Sequence, residues 1–351
     1  MKVDANLPKH IRDTAARAAA LAAEGYDGLW VGETQHDPFL QLLDAARATE
    51  RVTVGSAVAI AFARNPMTLA HTAYDLAEYS QGRFVLGLGS QVKPHIERRF
   101  SMPWSRPAAR MRELVLALRA IWDTWLTGTK LDFRGDFYTH TLMTPFFSPP
   151  PHDLGAPPVY LAGVGPRMTE VAGEVADGFF FHAFTTGRYL EEVTIPALRR
   201  GRATAGRVDL EGFGLAGPAF VTTGRDEAAL AAAVQGTRQQ IAFYASTPAY
   251  RPVLDLHGWG DVQPELTRLS KEGRWDEMGD VIDDEMLGAF SVVGGPREAG
   301  AELHRRWSPI ATRLTFYAPY RSDPGIWPEV LDATRAAATT STATDRQPGS
   351  S

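Results

Sequence analysis

The run Phe84-Val85-Leu86-Gly87-Leu88-Gly89 carries no polar side chain, and it limits the fold more than any other stretch of the chain. A strand half exposed to water alternates polar and apolar residues. A run apolar on both faces belongs in a sheet covered on both sides, as parallel sheets are. Ser80-Gln81-Gly82-Arg83 leads into the run and Ser90 follows it. Gly87 and Gly89 remove side chains at its carboxyl end, where another backbone or a flat ligand must then approach closely. Upstream, a strand at 52–58 and a helix at 65–79, stopped by Gly82, complete a strand-helix-strand unit of about forty residues, the right-handed crossover of a parallel sheet. The ligand edge is then the one where Gly89 and Ser90 emerge.

The same alternation runs through the chain. A strand at 2–5, a helix at 11–24 ending at Gly25 and a strand at 28–32 precede the polar loop Glu33-Thr34-Gln35-His36-Asp37-Pro38 and a helix at 39–48. After the apolar run, a helix at 108–127 lies between Pro107 and Gly128, the usual start and stop residues. Residues 129–156, with Phe133-Arg134-Gly135-Asp136-Phe137-Tyr138 and Ser148-Pro149-Pro150-Pro151, break the pattern and predict an insertion holding a small hairpin. Strands follow at 159–162, 178–181, 215–221 and 313–317, separated by helical sequence. A second, largely helical insertion spans 246–290. Eight strands of this kind predict an α/β fold, a (β/α)8 TIM barrel with insertions after strands 4 and 7 that account for the length beyond ~250 residues. An open doubly wound sheet is the competitor, and no GxGxxG follows the first strand to support it. One barrel domain over 1–335 is expected, and the threonine-, serine- and alanine-rich stretch 336–351 reads as a disordered tail.

A chain of 351 residues, 44% hydrophobic and 22% charged, can bury a full core. Its net charge of -5 gives no electrostatic reason to expect nucleic acid or an anionic membrane as partner. With no cysteine, disulfides, thiolate catalysis and cysteine-held metal are excluded. Arg12, Asp13, Arg17 and Glu24 interrupt the alanine-rich opening helix, which therefore resembles neither a signal peptide nor a membrane span. A soluble, cytoplasmic protein is expected.

In a barrel of this type chemistry sits where the strands end, so position selects the candidates before residue type does. Glu33 and His36 follow the second strand, where a carboxylate and an imidazole suit holding a cofactor and moving a proton; the alternatives are a cap on backbone amides and an ordinary loop histidine. Ala57 and Val58 end the third strand with small apolar surface suited to the back of a flat ring, or to plain packing. Ser90 and His95 follow the fourth strand, as ring-edge or side-chain hydrogen-bonders or as surface loop. Gly163-Val164-Gly165-Pro166-Arg167 offers open backbone amides at a helix start, where the dipole favours phosphate. His182, after Phe179-Phe180-Phe181, reads as a substrate-facing acid or base, or as a core histidine. The nine histidines lack HExxH or similar spacing, so no metal site is predicted, and neither a GxSxG elbow nor a P-loop is present.

Gly25-Tyr26-Asp27-Gly28-Leu29-Trp30, Arg64-Asn65-Pro66, the stretch Ser80 to Gly89, and Gly173-Glu174-Val175-Ala176-Asp177-Gly178 together resemble the bacterial luciferase-like superfamily over most of residues 1–330. The branch they most resemble is that of oxidoreductases dependent on the deazaflavin coenzyme F-420. The resemblance implies a deazaflavin or flavin ring in the barrel mouth against a bulge after the third strand, where relatives carry a non-prolyl cis peptide matching Ala57-Val58. It implies that Glu33 contacts the ring, that Ser90 and His95 bind cofactor, and that Gly163, Val164 and Gly165 form the phosphate-side loop. It also implies a homodimer. Two positions depart from the sugar-phosphate dehydrogenase type of that branch. The histidine after the ring-contacting acid is Thr34 here, leaving His36 two positions later, and the glutamate serving there as acid or base matches Val92. The expected activity is hydride transfer between F-420 and a small organic substrate, with the accompanying proton carried by His36, His182 or the substrate itself. An FMN-dependent monooxygenase is the alternative, and a flavin-binding barrel without catalysis the second alternative.

Overall fold

The computed structural model describes residues 1–8 and 10–344. In chain order the first half runs β1 (Lys2–Asn6), α1 (Thr14–Glu24), β2 (Gly28–Val31), α2 (Pro38–Ala48), β3 (Thr53–Ser56), β4 (Ala59–Ile60), α3 (Pro66–Tyr79), β5 (Phe84–Gly89), α4 (Pro107–Thr127), β6 (Phe133–Arg134), β7 (Thr139–His140), β8 (Val159–Ala162) and α5 (Pro166–Val175). It continues with β9 (Gly178–Phe180), α6 (Gly187–Tyr189), α7 (Ile195–Thr204), β10 (Gly214–Thr223), α8 (Glu227–Ala245), α9 (Arg251–His257), α10 (Val262–Glu272), α11 (Trp275–Met278) and α12 (Asp284–Phe290). The last elements are β11 (Ser291–Gly294), α13 (Pro296–Trp307), β12 (Arg313–Tyr317) and α14 (Ile326–Thr344).

Local chemistry sets the boundaries. Asp37 and Asn65 open α2 and α3 by accepting the Phe39 and Met67 N–H groups, each with proline next, while Gly25 closes α1 at φ 100°. The fold is a (β/α)8 barrel, as the strand pattern predicts, with β1, β2, β3, β5, β8, β9, β10 and β12 as its strands.

The chain divides into two compact units. The first comprises residues 2–180 and 195–215. Its strands run in parallel order β1, β2, β3, β5, β8, β9, with Leu29 beside Val54 and Leu86 beside Val159. Trp30, Tyr74, Phe84 and Trp122 are fully buried in it. The close approach expected at the glycines of β5 is present. A Cβ on Gly87 would lie 1.8 Å from the Ser56 carbonyl oxygen, and Ser56 Oγ both donates to the Gly87 carbonyl at 2.8 Å and accepts its N–H at 3.0 Å. β6 and β7 form the small antiparallel hairpin of the first insertion.

The second unit comprises, among the described residues, Met1, 181–194 and 216–344. β10 lies between β11 and β12, all parallel, and the helical insertion packs Leu254, Leu266 and Phe290 into one apolar cluster with Phe184 and Phe220.

Three elements differ from expectation. The third strand stops at Ser56 and resumes as β4 at Ala59, with the cis Ala57–Val58 peptide between them. The short run Ser291–Gly294, just past the helical insertion, adds a strand, β11, where no element was expected. α14 continues to Thr344, into the stretch assigned to the tail, since its alanines favour helix once the turns before them are anchored; residues 345–351 lie outside the described residues.

Candidate functional site

In the first unit, the loop after β2 and the bulge after β3 are held together by Glu33. Its N–H donates to the Val58 carbonyl at 3.2 Å, and its Oε2 accepts the Ile60 N–H at 2.7 Å and Arg64 Nη1 at 2.5 Å. Oε1 takes no hydrogen bond among the described residues and is not enclosed. The carboxylate therefore has one oxygen committed to the scaffold and one available. Glu33 is thus both the backbone cap and a group with reach beyond it.

Ala57 and Val58 are half-buried, and glycines crowd around them. A Cβ on Gly32 would come within 3.1 Å of the Ala57 carbonyl oxygen, and one on Gly89 within 2.6 Å of Val58 Cγ2. Beside them lies a cavity of about 260 Å³ lined by Asn6, Trp30, Gly32, Thr34, His36 and Ala57 among others. This is just under the ~300–1,000 Å³ of complete small-molecule sites, enough for a ring system rather than a whole extended cofactor. The exposed His36 imidazole has no hydrogen-bond partner among the described residues.

The structure brings Thr34, His36 and Ala57 to this one cavity, with Glu33 and Val58 tied to its wall. Ser90 and His95 are not among its lining. Ser90 Oγ donates to the Gln91 carbonyl at 3.1 Å, and His95 is exposed at the start of a π-helical turn, its N–H on the Val92 carbonyl at 3.1 Å. The glycine loop after β8 opens elsewhere in the unit. Gly163 packs so closely on the first turn of α5 that a Cβ would meet Met168 Cγ at 2.6 Å. Gly165 is the N-cap of α5 and lines a cavity of about 640 Å³ with Arg106, Pro166, Arg167 and Met168, while Val164 is exposed. The first helical bond of α5 is made by the Thr169 N–H to the Gly165 carbonyl, so the Arg167 and Met168 amides before it are left to an outside acceptor.

His182 belongs to the second unit, immediately after β9. Its Nδ1 accepts the Phe184 N–H at 3.0 Å, so in the neutral ring Nε2 carries the proton and faces Tyr250 Oη at 3.2 Å. The Tyr250 ring also stacks on the imidazole, with centroids 4.8 Å apart, and Tyr244 meets it edge-on. Burial pushes His182 down to about 4 and Tyr250 up to about 12. Tyr244 and Tyr317 share a hydroxyl contact of 3.0 Å, and burial raises Tyr317 as well. His182, Tyr250 and Tyr317 are thus held as uncharged, hydrogen-bonding groups.

Sequence reasoning gave no hydrogen-bonding role to Arg64, Phe184 or Tyr250. Arg64 left one signal, a lone cation closing the apolar run Ala59-Ile60-Ala61-Phe62-Ala63. The other two left none, because a backbone donor to a histidine ring has no side-chain signature. Among the described residues no cluster of His, Asp or Glu is arranged to hold a metal, and no helix is long and apolar enough to cross a membrane.

Comparison with known proteins agrees with this architecture. An uncharacterized protein of Mycobacterium tuberculosis is 54% identical over 314 residues, covering 90% of this chain and 92% of its own. A 5,10-methylenetetrahydromethanopterin reductase of Methanolobus tindarius is 28% identical, covering 87% and 90%. Among solved structures, the coenzyme F420 dependent tetrahydromethanopterin reductase of Methanopyrus kandleri superposes with a TM-score of 0.72 at 19% identity, over 96% of this chain and 99% of that one. The family model described as luciferase-like monooxygenase matches residues 2–313, and the chain belongs to that family.

Proposed function

We propose that this protein is an oxidoreductase that transfers hydride between the deazaflavin coenzyme F-420 and a small organic substrate. The observation that carries the reading is the wall formed by Ala57 and Val58, held by a carboxylate whose second oxygen is open. A flat ring needs such a wall: small apolar atoms for its face and one fixed acceptor for an N–H at its edge. The glycines at 32 and 89 keep that wall free of side chains. The Methanopyrus kandleri reductase, named as coenzyme F420 dependent, supports the same choice of cofactor.

Bound deazaflavin supplies a ring carbon that gives and takes hydride. The chain's own residues do the rest. Glu33 Oε1 orients the ring, and the open amides and arginine at the Gly163-Val164-Gly165 loop take the phosphate-bearing side. Ser90 and His95 serve the cofactor from the loop after β5. His36, exposed and unpaired, gives or takes the proton that accompanies hydride. His182, whose Nε2 proton is shared with Tyr250 Oη in the free protein, is the other candidate to carry that proton.

The second reading is an FMN-dependent monooxygenase, favoured by the description of the family model itself. Titrating the apo protein separately with F-420 and FMN, followed by cofactor fluorescence, separates the two. Tight binding of F-420 is expected. Submicromolar FMN binding with none of F-420 reverses the order, and a folded protein that binds neither is a non-catalytic barrel.

A further inference from the structure

We propose that Arg64 is the positioning residue of this site: one guanidinium fixes Glu33, the Ala57–Val58 bulge and the His36 loop in the arrangement that receives the ring. The inference rests on the functional reading above and adds to it a residue with no contact to the ring of its own. Arg64 Nη1 donates to Glu33 Oε2 at 2.5 Å and to the Ile60 carbonyl at 3.0 Å, while Nη2 donates to Asp37 Oδ2 at 2.8 Å. Its guanidinium also lies over the Phe39 ring, 5.2 Å from the centroid. The backbone of Ile60 is thereby gripped on both sides of its Cα, N–H by Glu33 and carbonyl by Arg64.

The consequence reaches two loops. Glu33 and Asp37 bracket Thr34, Gln35 and His36, and both carboxylates end on the same cation. Asp37 is also the N-cap of α2, its Oδ1 accepting the Phe39 N–H at 2.9 Å. On the other side, the Ile60 peptide follows the cis bond by two residues. Moving Arg64 therefore moves the ring wall, the ring-facing carboxylate and the imidazole together.

The pair also differs from the surface ion pairs of the chain. Arg64 and Glu33 side chains are only 16% and 8% exposed, against 68% and 56% for Arg134 and Asp132. Exposed pairs contribute little, whereas a nearly enclosed one fixes geometry. Only the planar five-donor fork serves three acceptors in different directions, and an ammonium reaches one or two of them. Saturating Oε2 with two donors also leaves Oε1 as the one Glu33 oxygen with capacity for a ligand.

The test compares Arg64→Ala, Arg64→Lys and the surface control Arg134→Ala in the full chain. F-420 and FMN are titrated by fluorescence, the absorption band of bound cofactor is recorded, and amide exchange at Glu33 and Ile60 is followed in apo protein. The expected result for Arg64→Ala is at least about ten-fold weaker F-420 binding, a shifted band and about ten-fold faster exchange at both amides. Arg64→Lys falls between Ala and wild type, and Arg134→Ala matches wild type. Should Arg64→Ala fail to fold, Arg64→Lys decides by the same readouts. Wild-type affinity and band position in the Arg64 variants, with only thermal stability lowered, would overturn the positioning role while leaving the functional reading intact. Failure of wild type itself to bind either cofactor would overturn both.

Discussion

The backbone N–H of Phe184 occupies Nδ1 of His182 at 3.0 Å, which leaves the imidazole proton on Nε2. Burial penalises the charged ring, so its pKa falls from 6.5 to about 4. The sign of the stability effect follows. The unfolded chain takes up a proton near pH 6.5 and the folded one only near 4, so His182 stabilises fully above pH 6.5, and the contribution is lost as pH falls toward 4. The span corresponds to about 3 kcal/mol. Urea unfolding at pH 7.5 and 4.5 is expected to show that loss in wild type and to show it reduced in His182→Gln. Nitrogen NMR of His182 is expected to report the Nε2–H tautomer throughout pH 5.5 to 8, and an imidazolium at pH 6 contradicts the account.

Tyr250→Phe removes the acceptor for that Nε2 proton without changing the ring stack. An unpaired buried donor costs about 1–3 kcal/mol. The expected outcome is a free energy of unfolding, read from chemical denaturation, lowered by that amount. Unchanged stability places the Nε2 proton on another acceptor.

Glu33 and His36 separate binding from turnover. Glu33→Ala strands the Ile60 N–H and half of the Arg64 fork, and costs about 3 kcal/mol, at the low end for a broken buried pair because Arg64 keeps Asp37. Cofactor affinity falls with it. His36→Ala leaves the scaffold bonds intact, so affinity stays and turnover is lost. Unchanged turnover in His36→Ala removes that residue from proton transfer.

The two glycines of β5 behave differently under substitution. Gly87→Ala drives a Cβ into the Ser56 carbonyl oxygen at 1.8 Å, a backbone atom inside the sheet, and is expected to prevent folding or cost more than about 3 kcal/mol. Gly89→Ala meets only Val58 Cγ2 at 2.6 Å, so the chain folds and the bulge shifts. Circular dichroism with cofactor titration distinguishes them: lost structure for the first, retained structure with weakened binding for the second.

The legibility of this chain divides along the range of the interactions. Phe84 to Gly89 announced a doubly covered strand, and Asp37-Pro38 and Asn65-Pro66 announced helix starts, because strand burial and capping act within a few residues. Glu33 and His36 could be placed on one loop beside Ala57 because the strand period fixed where that loop falls. The Arg64 fork was not, since Glu33 and Arg64 are 31 residues apart and any of the chain's acids was an equal partner. β11 escaped because four residues, Ser291–Gly294, are too few to separate a strand from the end of a helix. The hydrogen bond of Tyr250 was invisible because its partner, His182, comes from a segment 68 residues away.

The insertion after the fourth strand is held by one carboxylate of α4, which makes its order testable. Glu113 accepts three successive N–H groups, from Asp136 at 2.9 Å and from Phe137 and Tyr138 at 2.6 Å each. Gly135 is required beside it, because a Cβ there would meet the Glu113 carboxyl carbon at 2.2 Å. The hairpin of β6 and β7 has only two residues per strand, too short to stand without this anchor. Glu113→Gln keeps an acceptor oxygen but loses the charge assistance worth about half of each bond; Glu113→Ala loses all three. Limited proteolysis is expected to cut near Asp136 fastest in Glu113→Ala, next in Glu113→Gln and slowest in wild type, with the barrel itself intact. Equal cleavage rates in all three would assign the order of this insertion to Tyr138 and Arg110, which share a 3.0 Å hydrogen bond, instead.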